Sequence, residues 1–210
     1  MKWIAGFMVS VCLASTATKW TFDDLESGKA PKGFSFARTG DGAPGTWVVR
    51  DAVDGKGKVL AQTNADDADY RFPLAVADAP SLADLTLTVR FRPVSGKGDQ
   101  AGGLVFRYTD PNSYYVVRAN ALEDNCRLYH VVAGKRVQFA GKDAKVASGK
   151  WHTLKVTAKG NAFHVWLDGE SVIEATDDTI KGAGKVGVWT KADSVTEFDD
   201  LEVEPLEAKG

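Results

Sequence analysis

The stretch GGLVFRYTDPNSYYVVRANALEDNCRLYHVVAGKR (Gly102–Arg136) decides the fold class. Leu104, Phe106 and Tyr108 alternate with Val105, Arg107 and Thr109, the period of a strand with two unlike faces. DPNS at Asp110–Ser113 is a turn, because Asp, Pro and Asn each favour turn dihedrals. YYVVRANA follows at Tyr114–Ala121, then a second turn at LEDN. CRLYHVV and KRVQFA read as a hairpin joined by Ala133-Gly134. The whole stretch is therefore an antiparallel meander.

The same rhythm extends outward. Leu85, Leu87, Val89 and Phe91 alternate with Asp84, Thr86, Thr88, Arg90 and Arg92 on the N-terminal side. On the C-terminal side, Trp151–Ala158 and Phe163–Leu167 read as strands, and Asp168-Gly169 suits a hairpin turn with φ > 0 at both central positions. Ser171–Ala175, Lys185–Thr190 and Val195–Glu204 complete this half. Weaker strand signals lie at Trp20–Asp24, Phe34–Arg38, Trp47–Asp51, Val59–Thr63 and Tyr70–Leu74. About a dozen short strands, and no helix of three turns, predict a sandwich or barrel.

The totals fit an ordinary globular chain: 210 residues, 44% hydrophobic and 26% charged, with a formal net charge of −2. No block of Lys and Arg stands out, which argues against nucleic acid as a partner. MKWIAGFMVSVCLASTA carries one lysine, an apolar core and small residues at its end, and reads as a signal peptide over residues 1–17. Its apolar run falls short of the ~20 residues a membrane span needs. Residues 18–210 then form a single domain with one cysteine, Cys126, so its core must hold without an internal disulfide.

Three blocks carry a family resemblance: Gly102–Arg136, GKWHTLKVTAKGNAFHVWLDGESVIEATDD (Gly149–Asp178) and GAGKVGVWTKADSVTEFDDLEV (Gly182–Val203). Together they resemble the concanavalin A-like (LamG/laminarinase-like) jelly roll, and most closely the secreted bacterial 3-keto-disaccharide hydrolase-type domains. That resemblance implies an all-β jelly-roll sandwich of two antiparallel sheets. It also implies a sugar ligand on a concave outer face or on rim loops.

The hairpins indicate which residues would line that face. With Asp110–Ser113 as the turn, Thr109 faces Tyr114, Arg107 faces Val116 and Val105 faces Arg118. The next turn brings Asn120 to Asn125 and Arg118 to Arg127. Leu104, Phe106, Tyr115, Val117 and Leu128 point to the core. The outer face collects Arg107, Tyr114, Arg118, Asn120, Asn125, Arg127 and Tyr129, with Glu123 on the adjoining loop and Trp166 as a possible ring platform. Arg and Asn offer planar hydrogen-bonding groups, and aromatic rings suit the C–H faces of a sugar. A solvated sheet face would have the same composition.

Other motifs carry less. Glu197-Phe198-Asp199-Asp200-Leu201-Glu202 matches the E-x-D-x-x-E pattern of laminarinase-type glucanases. Without a β-bulge, however, Glu202 points away from Glu197 and Asp199, so retaining hydrolysis is not expected and no catalytic residue is assigned. His130, His152 and His164 lack metal-binding spacing. FDDLE occurs twice, at Phe22–Glu26 and Phe198–Glu202, in opposite strand registers; it marks where the first and last strands meet. A structural Ca²⁺ is expected at that seam, held by Asp199 and Asp24. The expected protein is a monomeric module, secreted to the periplasm or the exterior, that binds an oligo- or polysaccharide. The alternatives are a glycoside hydrolase of the 3-keto-disaccharide type and a non-catalytic cell-surface adhesion or structural module.

Overall fold

The computed structural model describes residues 16–53 and 56–206. Most of the expected signal peptide, residues 1–15, lies outside the described residues. Fifteen strands follow one another without a helix among the described residues. They are β1 (Thr18–Trp20), β2 (Phe34–Gly40), β3 (Trp47–Asp51), β4 (Lys58–Gln62), β5 (Arg71–Ala77), β6 (Leu85–Ser95), β7 (Ala101–Asp110) and β8 (Ser113–Asn120). Then come β9 (Asn125–Val132), β10 (Lys135–Asp143), β11 (His152–Lys159), β12 (Ala162–Leu167), β13 (Glu170–Thr176), β14 (Lys185–Trp189) and β15 (Val195–Pro205).

Two sheets form, every pairing in them antiparallel. One has the order β13-β12-β11-β6-β15-β4-β3, with β1 added on β15; the other runs β10-β9-β8-β7-β14-β5-β2. This is a jelly-roll sandwich. Alternation along the strands explains the stacking. In β6, Leu85, Leu87, Val89 and Phe91 are fully buried, and they face Leu104, Phe106, Tyr115, Val117 and Leu128 of the opposite sheet in one core cluster. Cys126 joins that core; burial pushes its thiol up to about 12, leaving an unreactive, apolar-like side chain.

The turns follow their residues. Ala133-Gly134 and Asp168-Gly169 both have two consecutive positive φ values, as a tight hairpin with the native twist requires. At DPNS, the Asn112 N–H donates to the Asp110 carboxylate at 2.7 Å.

Two bulges change faces in ways the plain alternation misses. In β7 the register slips between Phe106 and Asp110, with Arg107 at φ 49°. Val105 therefore pairs with Val116 rather than Arg118, and Gly103 takes the place opposite Arg118. In β15 the register slips between Asp199 and Glu202, with Asp200 at φ 50°. Phe198, Leu201 and Val203 consequently all enter the core, although simple alternation would set Phe198 opposite the other two.

The first and last strands do meet at a seam. Thr18, Lys19 and Trp20 of β1 pair with Val203, Glu202 and Leu201 of β15. The first FDDLE copy is a turn rather than the strand its sequence suggests: the Leu25 N–H donates to the Phe22 carbonyl at 3.1 Å, and Phe22 holds φ 64°.

Candidate functional site

The outer face of the β10–β2 sheet is built on β8 and β9. Their register sets Arg118 beside Arg127, Asn120 beside Asn125 and Val116 beside Tyr129. A four-residue turn between them, closed by Asp124 at φ 47°, projects Glu123 over the same end. The Arg118 guanidinium, only 4% exposed, gathers this end together. It donates to Asn125 Oδ1 and Glu123 Oε2, both at 2.8 Å, and to the Tyr129 hydroxyl at 3.2 Å. Asn125 Nδ2 donates to the same Glu123 oxygen at 2.8 Å. Burial pushes the Glu123 carboxyl upward, but the hydrogen bonds from Asn125 and Arg118 outweigh it and leave the carboxyl below its ordinary value.

Beside this network the face is aromatic. Phe72 and Trp189 stack at 5.3 Å, and Tyr70 meets Phe72 edge-on at 4.7 Å. The Arg136 guanidinium lies over the Phe72 ring at 4.3 Å and the Tyr129 ring at 4.5 Å, with Trp189 at 5.6 Å. Tyr70 fixes the β10 hairpin beneath it: its hydroxyl accepts from the Arg136 N–H at 2.7 Å and donates to the Gly134 carbonyl at 3.0 Å. Gly103 is required where it stands. A Cβ there would lie 2.8 Å from the Val117 carbonyl oxygen, 3.2 Å from Arg118 Cβ and 3.3 Å from the Trp189 ring.

A charged rim closes the same end, where Ala101 pairs with Asn120. The Lys191 ammonium bonds Asp99 at 2.5 Å and Asp69 at 2.8 Å, and Asn120 Nδ2 donates to Asp99 at 2.5 Å. Asp99 is placed by its own loop, where the N–H groups of Lys97, Gly98 and Asp99 all donate to the Asp193 carboxylate. Burial holds the Asp99 carboxyl above its ordinary value despite Lys191. Two buried donors on the face, Arg118 Nε and Arg136 Nη1, have no hydrogen-bond partner among the described residues.

Of the residues singled out in the sequence, Arg118, Asn120, Glu123, Asn125 and Tyr129 come together here. Arg127 shares the face but turns to the rim, bonded to Asp143 at 2.7 Å. Tyr114 has the right side of β8 but is fully buried, its hydroxyl 2.8 Å from the Thr39 hydroxyl. Arg107 is a correction: the bulge turns it to the inner edge, where it donates to the carbonyls of Ala83, Ile180 and Gly160 at 2.8, 2.7 and 2.6 Å. Trp166 is another, because β12 belongs to the opposite sheet, where its ring stacks on His164 at 3.6 Å. Sequence reasoning missed Asp69, Tyr70, Asp99, Arg136, Trp189 and Lys191. The Ala133-Gly134 turn could have placed Arg136, which pairs with Val131 on this face. Nothing periodic links Asp69, Asp99 and Lys191.

The residues expected to hold calcium do not fit it. The Asp199 carboxylate lies 3.4 Å from Arg90 and accepts the Asp200 N–H at 2.7 Å. Its neighbour in the first FDDLE copy is Asp23, whose carboxylate accepts the Lys58 N–H at 2.8 Å, while Asp24 has an exposed side chain. No group of three or more acidic, His or Cys side chains among the described residues could hold a metal ion.

A family model, the 3-keto-alpha-glucoside-1,2-lyase-like domain, matches residues 18–204. The chain belongs to that family. Levanase of Bacillus subtilis is 26% identical over 147 residues, which are 69% of this chain but only 20% of levanase, so the chain spans about a fifth of that relative's length. Among solved structures, the carbohydrate binding module CBM66 of Bacillus subtilis superposes with a TM-score of 0.65 at 24% identity, over 80% of this chain and 94% of that one. The exoplasmic/lumenal domain of VIP36, in a form bound to Ca²⁺ and mannose, has a TM-score of 0.65 at 12% identity, over 92% and 91% of the two chains. At these identities the likeness establishes the shared fold.

In this lyase-like domain the E-x-D-x-x-E match gains the bulge it needs. Glu197, Asp199 and Glu202 pair with Arg92, Arg90 and Thr88, and so share one face. Glu197 is nevertheless sealed, fully buried between Arg50 at 2.8 Å and Arg92 at 2.6 Å. A carboxylate so neutralised is a poor nucleophile. The histidines are equally committed: His152 lies 2.7 Å from Asp168, His130 lies 3.2 Å from Asp177, and His164 lies 2.7 Å from the Ser171 hydroxyl.

Proposed function

We propose that this chain is an exported carbohydrate-binding module that holds a glycan on the outer face formed by β8, β9, β10 and β14. One observation carries the reading: Arg118, Asn125, Glu123 and Tyr129 form a fixed polar network on the same face as the exposed Tyr70 ring. A network held by buried hydrogen bonds is preorganised, which reduces the ordering cost of binding a flexible polar ligand. Phe72 and Trp189 are buried beneath this face, and the Tyr70 ring, 38% exposed, supplies the apolar surface that a sugar's C–H face covers. Family membership supports a saccharide ligand, and the fold shared with the carbohydrate binding module CBM66 supports binding.

Binding is favoured over turnover by the state of the acids. Glu123 is held below its ordinary pKa, so it stays ionised near neutral pH as a hydrogen-bond acceptor rather than a proton donor. Asp99 is held higher but is 2% exposed and already bonded to Lys191 and Asn120. Export is inferred from the N-terminal sequence.

A glycan array followed by isothermal titration calorimetry tests the reading. Arg118→Ala is expected to weaken binding at least tenfold while the fold is retained. Unchanged affinity in Arg118→Ala would remove this face as the site. Release of product from a 3-keto-disaccharide, abolished in Glu123→Gln, would replace the binding reading with the enzymatic one.

A further inference from the structure

Arg136 is a ring-stacked cation on this face without a carboxylate. Arg118 is neutralised by Glu123, Lys191 by Asp99 and Asp69, and Arg127 by Asp143. Arg136 makes no ion pair among the described residues. Asp69 feels its charge, but that carboxylate is bonded to Lys191 and stands open to solvent. A half-buried guanidinium is ordinarily paired, because desolvation of an uncompensated charge is costly. Here the desolvation is evident: burial, and then the neighbouring Arg118 charge, hold the Arg136 pKa below its ordinary value. The side chain is not loose either. The rings of Phe72, Tyr129 and Trp189 and the Tyr70 hydroxyl on its backbone fix it in place.

We propose that Arg136 is the anchor for an anionic group of the ligand, so that the glycan held on this face carries a carboxylate, as a uronic acid residue does. The inference rests on the saccharide-binding reading above and narrows its substrate class. A rigid, ring-stacked guanidinium suits a planar carboxylate, which accepts two parallel N–H donors, better than it suits a hydroxyl. Glu123, ionised and beside Arg118, then accepts hydrogen bonds from sugar hydroxyls rather than competing for the acid.

The test is calorimetric. Short oligomers of glucuronate, galacturonate and mannuronate are titrated against the full chain alongside their carboxyl-reduced, neutral counterparts. At least one acid is expected to bind tenfold or more tightly than its neutral counterpart. The preference should shrink between about 50 mM and about 500 mM salt, because exposed charge pairs are screened. Arg136→Gln should erase the preference, and Arg136→Lys should restore part of it. Equal binding of acid and neutral forms, or a preference that survives Arg136→Gln in a protein with native circular dichroism, overturns the proposal. If neutral oligomers bind and Arg118→Ala abolishes their binding, the glycan face stands and only its anion anchor falls. If no uronate binds, the anchor falls by that result alone.

Discussion

Asp199 shows how one residue can be both stable in place and costly. Burial, and then the charge of Asp200, outweigh the Asp200 N–H and Arg90 and lift its carboxyl to about 6. A carboxyl with a raised folded-state pKa contributes fully at low pH, and its contribution is lost as pH rises through about 6. The distance from 3.8 to about 6 corresponds to on the order of 2–3 kcal/mol. Asp199→Asn is therefore expected to raise the denaturation midpoint at pH 7.5 and to gain little at pH 4.5; urea melts at the two pH values measure this. Equal effects at both would contradict the assignment. Arg118, Asn120, Asn125 and Tyr129 could be read from the sequence because each follows the period of two from a well-marked turn. Lys191 and Asp99 could not, because their meeting depends on the Asp193 clamp of the 97–99 loop, which leaves no local pattern.

At the scale of elements, the bulges decide most of what was legible. Strand positions in β6, β8 and β9 follow hydrophobic alternation, and their core assignments agree with it. In β7 and β15 the left-handed residues are Arg107 and Asp200, neither a glycine, so no residue type announces the change of phase. Arg107 was accordingly assigned to the wrong face. Its guanidinium instead ties three separate carbonyls at the edge of the sandwich. Arg107→Met should cost roughly 2–3 kcal/mol, because three partly buried carbonyls lose their charged donor. Glycan affinity per folded molecule should not change, which calorimetry at low temperature would verify. At Asp200, Asn tolerates the left-handed conformation and Val does not. Asp200→Val is expected to lower stability by about 1–2 kcal/mol relative to Asp200→Asn, read from paired chemical melts.

For the whole molecule, the weakest closure is the three-residue strand β1 on β15. Trp20 meets Phe34 at 5.8 Å and helps cover the core there. A variant beginning at Thr21 loses that burial, on the order of 2 kcal/mol. It also opens the edge of β15 at Leu201–Val203 to pairing with another chain. We expect it to melt earlier and to self-associate at high concentration, visible by light scattering; an unchanged, monodisperse protein would show β1 to be dispensable. The jelly-roll class was legible because about a dozen alternating runs leave few other folds. The aromatic bed under Arg136 was not, because Phe72, Trp189 and Tyr129 come from three strands far apart in sequence.

Thr18 pairs with Val203, so the chain enters and leaves the sandwich side by side, and both points belong to the sheet opposite Arg118 and Arg136. A tether attached at either end would grip the module from behind. A surface array, a fluorescent fusion or a neighbouring domain could be joined at both ends at once, and the face that carries Arg136 would still look outward toward a bulky polymer.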